Sequence, residues 1–461
     1  MEATLSRFAQ EHFGQAELGD VRRTKRLVQV AGQMLRHPGG TLPQKMAEPA
    51  DLKGFYRLMN CQEVTHAAVM ETHRQLTLSR MRQCNGVVLL IHDTTQLDYT
   101  GKHSLGKLGQ IAKGFHRGYL CHNTLAVEAQ SGQVIGLASQ ILHIRPKVPK
   151  KEPRKKRLKR ADRESRLWKR GSEAVGPPPQ GSMWVDVCDR GADLFEYLDH
   201  KHAQGGWYVV RSKHDRVVWA NGNPHRAVKL HEHARSLAVM GTWSIEVSAN
   251  GERPARSARV SLACGKVTLP VPRPKCGQHG DEPLEAWVVH VMEIDPPAGQ
   301  EPLEWVLLTN VPADCFTQAK QRVDWYARRP IVEEFHKGQK SGCGIELPQF
   351  TDESRLEPAI ALLSVVAVFL LTLRDAARDE RTRDKPATEL VPAAYVRVVN
   401  AVRWKDTDRL TTVGEFLLAV ARLGGHQNRK SDGHPGWLTL WRGWQELAAM
   451  MRAVEALEKC G

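Results

Sequence analysis

Three acids stand where a carboxylate can do chemistry. Asp93 closes NGVVLLIHD (85–93) and Asp189 closes GSMWVDVCD (181–189), two short apolar runs each ending in an acid. Runs of this kind read as strands buried on both faces. A strand end holds a side chain rigidly while leaving its tip open, and adjacent strands would bring Asp93 and Asp189 together. Two carboxylates with a third oxygen donor suit a hard cation, Mg²⁺ or Mn²⁺, rather than zinc. The bland alternative is that each acid only caps the helix after it.

The third donor is sought in WYARRPIVEEFHKGQK (325–340). At about 100° per residue, Tyr326, Arg329, Glu333 and Lys340 fall at about 0°, 300°, 340° and 320°, within an arc of about 60°. Glu334 falls near 80°, off that face, so Glu333 is the expected ligand. A carboxylate flanked by Arg, Lys and Tyr can hold a metal while its neighbours hold phosphate oxygens. An amphipathic helix with surface ion pairs has the same spacing. Pro330 clashes in a helix interior and suits a first turn. If the helix starts there, the arc holds strictly only for Glu333 and Lys340.

The elements that would position these residues fall into three blocks. Residues 1 to about 80 read as helical: Leu27, Val30, Met34 and Leu35 recur at helical spacing, HPGGTLP (37–43) breaks that helix, and further helices fit 51–60 and 66–82. A middle block, about 81–350, holds strands at 85–93, 118–128, 134–144, 181–189, 206–211 and 303–309 and a helix at 191–203. It includes a β-rich, Gly- and Pro-containing insertion at about 215–300, and a long helix after 309. From 351 the chain is helical again. Its Pro358–Leu373 run is sixteen residues long, below the ~20 of a membrane span, and reads as a buried core helix. Trp437, Trp441 and Trp444, at i, i+4 and i+7, share one helical face that could be intrachain core.

The chain has 461 residues with 66 Lys and Arg against 51 Asp and Glu, a formal charge of +15. That balance excludes a generally acidic protein and makes nucleic acid the leading partner. The stretch 145–170 alone carries +11 of it, with fourteen basic and three acidic residues. Such a run is either a solvated surface segment or a grip on a phosphate backbone. Nine cysteines, an odd number with no CxxC pair, argue against both a disulfide framework and a cysteine zinc site. With no apolar leader in MEATLSRFAQEHFG, a cytoplasmic protein is expected.

YARRPIVEEFHKGQKSG resembles the YREK signature of DDE transposases in the insertion-sequence-four family. LGDVRRTKRLVQVAGQM, IHDTT, VCDRGADLFEYL, VVRSKH, LEWVLLT, ARLGG and GWLTLWRGWQEL resemble that family in the same order. The resemblance covers most of the chain and diverges at 145–175 and 380–410. It implies an α/β fold: an RNase H-like catalytic core with a β-rich insertion, flanked by a helical DNA-binding domain (1–80) and a helical C-terminal dimerisation domain (351–461) whose Trp437, Trp441 and Trp444 would form part of the dimer surface.

The resemblance also implies cut-and-paste DNA transposition. Asp93, Asp189 and Glu333 would be both catalytic residues and ligands for two Mg²⁺ ions per site, with Mn²⁺ a substitute. Tyr326, Arg329 and Lys340 would contact transposon-end DNA, and Trp305 would stack on a flipped base. Trp305 could equally be a core residue of its strand. Arg211 and Lys213 would lie on the hairpin strand, and Arg26, Arg36 and Arg57 would grip the end sequence. Partners would be transposon-end duplex, target DNA and a second copy of the chain in a synaptic homodimer, with no membrane, in a bacterial cytoplasm near the nucleoid. Pro330 departs from the family pattern, and the chain's end at Gly461 leads to an expectation of a short final helix. A DNA-binding regulator without catalysis, or a junction resolvase of related fold, are the rival readings; three intact acids weigh against the first, the helical N-terminal module and the β insertion against the second.

Overall fold

The computed structural model describes residues 3–37, 39–46, 48–148, 151–247, 255–273, 278–429 and 432–460. Residues 149–150 of the basic run and Cys276 lie outside these. Five helices open the chain: α1 (Ala3–Phe13), α2 (Val21–Arg36), α3 (Leu42–Lys45), α4 (Pro49–Met59) and α5 (His66–Gln83). Asp20 caps α2 by accepting the Arg22 backbone N–H at 2.8 Å, and Thr65 caps α5 by accepting that of Ala68 at 3.1 Å. Leu27, Val30, Met34 and Leu35 are buried along one face of α2, as their spacing predicts.

A mixed sheet follows, built from β1 (Val88–Asp98), β2 (Gly109–Gln110), β3 (Arg117–Glu128), β4 (Val134–His143), β5 (Trp184–Cys188), β6 (Trp207–Arg211), β7 (Val217–Ala220), β8 (Ala227–Lys229), β9 (Gly241–Val247), β10 (Arg256–Leu269), β11 (Leu284–Glu293) and β12 (Glu304–Thr309). Its order is β2-β3-β1-β5-β6-β12-β11-β10-β7-β8, with β4 on β3 and β9 on β10. β1, β3 and β4 form an antiparallel meander, β5 runs parallel to β1, and β6 runs parallel to β5. Between β4 and β6 lie α6 (Arg154–Lys159), α7 (Leu167–Val175) and α8 (Phe195–Ala203), the last being the crossover between the two parallel strands.

The sheet departs from expectation in one place. The run at 85–93 does not end at Asp93: β1 continues to Asp98, because TTQLD keeps pairing with β3 after the apolar residues stop. The stretch at 215–300 is β-rich, as read from its residues, and includes α9 (Leu230–Ser236). β12 joins β6 on one side and β11 on the other, so the stretch extends the same sheet.

The remaining helices are α10 (Phe316–Tyr326), α11 (Pro330–Lys337), α12 (Glu353–Arg378), α13 (Ala393–Trp404), α14 (Val413–Leu423) and α15 (Trp437–Cys460). α12 holds the long apolar run and is buried, so it is the core helix its length indicated; among the described residues it is the one helix apolar enough to meet a membrane-span criterion. Phe369 on α12 meets Phe8 of α1 at 5.2 Å and Trp444 of α15 at 6.1 Å between ring centroids, tying both ends of the chain to one helix. Trp437, Trp441 and Trp444 are all buried in this intrachain core, so they do not form an exposed dimer face. α15 spans 24 residues, longer than the short final helix expected.

Candidate active site

Parallel β1 and β5 are paired up to His92 opposite Cys188. Asp93 and Asp189 are the next residue on each strand, so both carboxylates emerge where the two strands part. β1 carries on with Asp93 opposite Asn123 of β3, whereas the chain after β5 turns away through a 3₁₀ turn at Arg190–Ala192. Asp189 caps that turn, accepting the Gly191 N–H at 3.0 Å, so the capping alternative is also realised at this acid.

Glu333 reaches the same place from a helix. α10 ends at Tyr326, and Pro330 starts α11 at its first position, where a missing N–H costs nothing. Tyr326 and Arg329 therefore precede the helix that carries Glu333, and the single-helix arc fails for them as Pro330 foretold. Arg329 instead sits at the head of α11 and is shared: its guanidinium lies 3.0 Å from Asp93 Oδ2 and also hydrogen-bonds Glu333. Buried His336, one turn on, places Nδ1 3.8 Å from Asp93 Oδ2.

The electrostatics reflect this crowding. Burial pushes the Asp93 carboxyl up to about 6; Arg329 opposes the rise, and the negative charges of Asp189 and Glu333 add to it. Burial likewise lowers His336 to about 3, with Lys340 and Arg329 contributing, so the imidazole is neutral and adds no cation.

Lys340 lies beyond α11 on a π-helical turn, Gly338–Gly342, with its ammonium 3.5 Å from Glu346. Glu346 in turn accepts the Asp98 N–H at 2.8 Å, so Lys340 faces the far end of β1. The expected long helix after 309 is thus three pieces: α10, α11 and this turn.

On the β12 side, the Trp305 and Tyr326 rings meet edge-to-face, 5.0 Å apart at 76°. Tyr326 is buried, and burial raises its phenol while Arg211 and Arg329 oppose the rise. Trp305 keeps partial exposure. Arg211 lies opposite Leu307 and donates to the Glu304 carbonyl at 3.1 Å. Lys213 is exposed on the turn after β6. Tyr326, Arg329, Arg211 and Trp305 therefore form a continuous border beside the three acids.

Sequence reasoning missed Asp193. It is fully buried and its carboxylate gathers the whole turn after Arg211: the Lys213 N–H at 2.7 Å, the His214 N–H at 2.9 Å, the Ser212 hydroxyl at 3.3 Å and the Arg216 guanidinium. The signal was present in VCDRGAD, four residues past Asp189, but an acid at that spacing reads equally as surface.

The N-terminal arginines lie apart from this cluster. Arg26 of α2 pairs with Asp51 of α4 at 3.2 Å, Arg57 is exposed in the last turn of α4, and Arg36 is half-buried at the end of α2. Residues 6–64 match the family model of a transposase DNA-binding domain. Those residues are similar to a transposase's DNA-binding module. The match spans α1 to α4 and takes in Arg26, Arg36 and Arg57. It supports a transposase that binds DNA, within a mixed α/β fold.

The donor chemistry at the acids fits a hard divalent cation. Asp93, Asp189 and Glu333 offer only carboxylate oxygens, and their mutual repulsion is offset here by Arg329. As placed, no group of three His, Cys, Asp or Glu among the described residues stands ready as a closed metal shell.

Proposed function

We propose that this chain is a cut-and-paste DNA transposase whose active site is Asp93, Asp189 and Glu333. The observation that carries the reading is the convergence of these acids around Arg329, in a chain whose residues 6–64 match a transposase DNA-binding domain. The strand order β4-β3-β1-β5-β6, a three-stranded meander followed by two parallel strands, supports an RNase H-like core.

Two Mg²⁺ ions held by the three acids would supply activation of the attacking oxygen and stabilisation of the leaving 3′ oxygen. The protein's own residues do the positioning. Arg329 supplies a cation beside the acids for phosphate oxygens, and Lys340, against Glu346, offers one further along β1; Tyr326 stiffens the border from behind; and Trp305, partly exposed against it, offers a face for an unstacked base. Arg211 and Lys213 hold the backbone next to Trp305, while Arg26, Arg36 and Arg57 grip the transposon end. Successive nicking, hairpin formation, hairpin opening and joining of the 3′-OH to target DNA, within a homodimer, complete the reading.

The test uses duplexes bearing the terminal repeats of the encoding element, with wild type and Glu333→Gln, in Mg²⁺ and in Ca²⁺. The expected result is a nick followed by a hairpin only for wild type in Mg²⁺, with DNA bound in every arm. Binding without cleavage by either protein in Mg²⁺ would make the chain a DNA-binding regulator and the acids scaffolding.

A further inference from the structure

The turn joining β2 to β3 displays a bare phenylalanine. Phe115 is 92% exposed, although burying such a side chain is favourable. The turn beneath it is nonetheless built rigidly. Gly109 pairs with Gly118 and Gln110 with Arg117; the Ile111 N–H donates to the His116 carbonyl at 3.1 Å, and the Ile111 side chain is buried. The Gln110 amide donates to the Gly114 carbonyl at 3.0 Å, and Gly114 takes φ +85°, which a side chain would strain. Arg145 donates to the Gln110 carbonyl at 3.0 Å, and His116 meets Asp98 at 2.8 Å. Exposed Lys113 and Arg117 flank the ring.

The turn is also wired to the candidate site. Asp98, opposite Gly118, is held by Glu346, which faces Lys340. With about 3.3 Å per residue, five residues from Asp93 to Asp98 and three more to the tip place Phe115 roughly 25 Å from the acids. That is roughly seven base pairs of duplex at about 3.4 Å each.

We propose that the 110–117 turn is a DNA wedge: Phe115 inserts against a base step of duplex passing the acids, and Lys113 and Arg117 hold the phosphates on either side. The chemistry is that of an apolar side chain that unstacks a step, pre-ordered by the turn and steered by flanking cations. The inference rests on the DNA-binding reading above.

The test uses the full chain and two probes, a random-sequence duplex and a duplex the wild type selects from a random pool. Phe115→Ala should weaken binding to the selected duplex roughly five- to 150-fold while leaving the salt dependence unchanged. Phe115→Tyr should bind like wild type. Lys113→Gln and Arg117→Gln should each lower the slope of log affinity against log salt by about 0.9. With 2-aminopurine placed along the duplex, emission should rise at one step for wild type and Phe115→Tyr, and at none for Phe115→Ala. Wild-type affinity in Phe115→Ala overturns the wedge alone. So does a change in self-association by sedimentation with DNA affinity intact, which would mark the ring as a protein contact. A wild type that binds neither duplex overturns the DNA reading itself.

Discussion

Asp193→Ala should open one turn while leaving the sheet in place. In the folded chain this carboxylate accepts two backbone N–H groups, a hydroxyl and a guanidinium, with no access to water. Hydrogen bonds to a charged group are each worth about 1.5–3 kcal/mol. Losing that acceptor should therefore speed amide exchange at Lys213 and His214 by roughly tenfold to a hundredfold. Arg216 would be left with only the Asp193 carbonyl, 2.9 Å away, and breaking a buried ion pair from one side costs about 3–5 kcal/mol. Because a chain with several cores need not unfold in one step, the assay is residue-resolved hydrogen exchange rather than a single melting curve. Arg216→Met, alone and combined with Asp193→Ala, separates the ion pair from the two N–H bonds; the double variant should be less unstable than the sum of the singles. The turn carries Lys213 and follows Arg211, so DNA cleavage should slow while duplex binding through the N-terminal helices persists. Unchanged exchange at both amides in Asp193→Ala would refute the reasoning, since this carboxylate is the acceptor that holds them.

Three further outcomes follow from other parts of the molecule. Trp444→Ala, which removes a buried ring stacked 5.5 Å from Tyr395 and a 3.3 Å bond to the Leu35 carbonyl, should cost about 3–5 kcal/mol by urea unfolding without changing the oligomeric state on gel filtration; a change of oligomeric state alone would restore the dimer-face reading. Burial, aided by neighbouring His73 and Arg80, lowers His12 from 6.5 to about 2, so it stays neutral when folded and binds a proton when unfolded. Its contribution therefore falls as pH drops below about 6.5, and His12→Gln should remove about 1.4 kcal/mol per pH unit from the acid limb between pH 6 and 4, measured by urea titration at several pH values; an unaltered acid limb would show that His12 is not buried in solution. Exchanging exposed Lys147, Lys151, Lys156, Arg157 and Lys159 for Gln should reduce the salt slope of DNA binding by about 0.9 for each phosphate no longer neutralised, and an unchanged slope would make the basic run a solvated surface.

Much of this arrangement was legible in residue order, for identifiable reasons. An apolar run closed by an acid located β5 and the first half of β1, because a strand covered on both faces must be apolar throughout. The second half of β1 was not legible: TTQLD has no apolar period, and its strand form comes from pairing with β3. Pro330 marked the start of α11, since proline there is both tolerated and pre-set in φ. What it could not show is that Arg329, just before it, would swing to Asp93 as well as Glu333, because that contact depends on how α11 lies against β1. The three tryptophans illustrate the same limit. Their spacing puts them on one face, but only the packing of α12, α13 and α14 decides that the face is filled from within the chain.

Arg329 also explains how three acids can share one place. Like charges about 4 Å apart repel by roughly 4 kcal/mol at a protein surface, and two neighbouring acids already push Asp93 upward. A lysine would offer a point charge to one carboxylate at a time. The planar guanidinium of Arg329 reaches Asp93 and Glu333 together, linking a strand to a helix that shares no hydrogen-bond ladder with it. Its position is set by the break between α10 and α11: Tyr326 anchors the end of one helix against Trp305, and Pro330 fixes the start of the next. The departure from a continuous helix is therefore the feature that aims Arg329 between the acids, and the border residues Tyr326 and Trp305 are part of the same device.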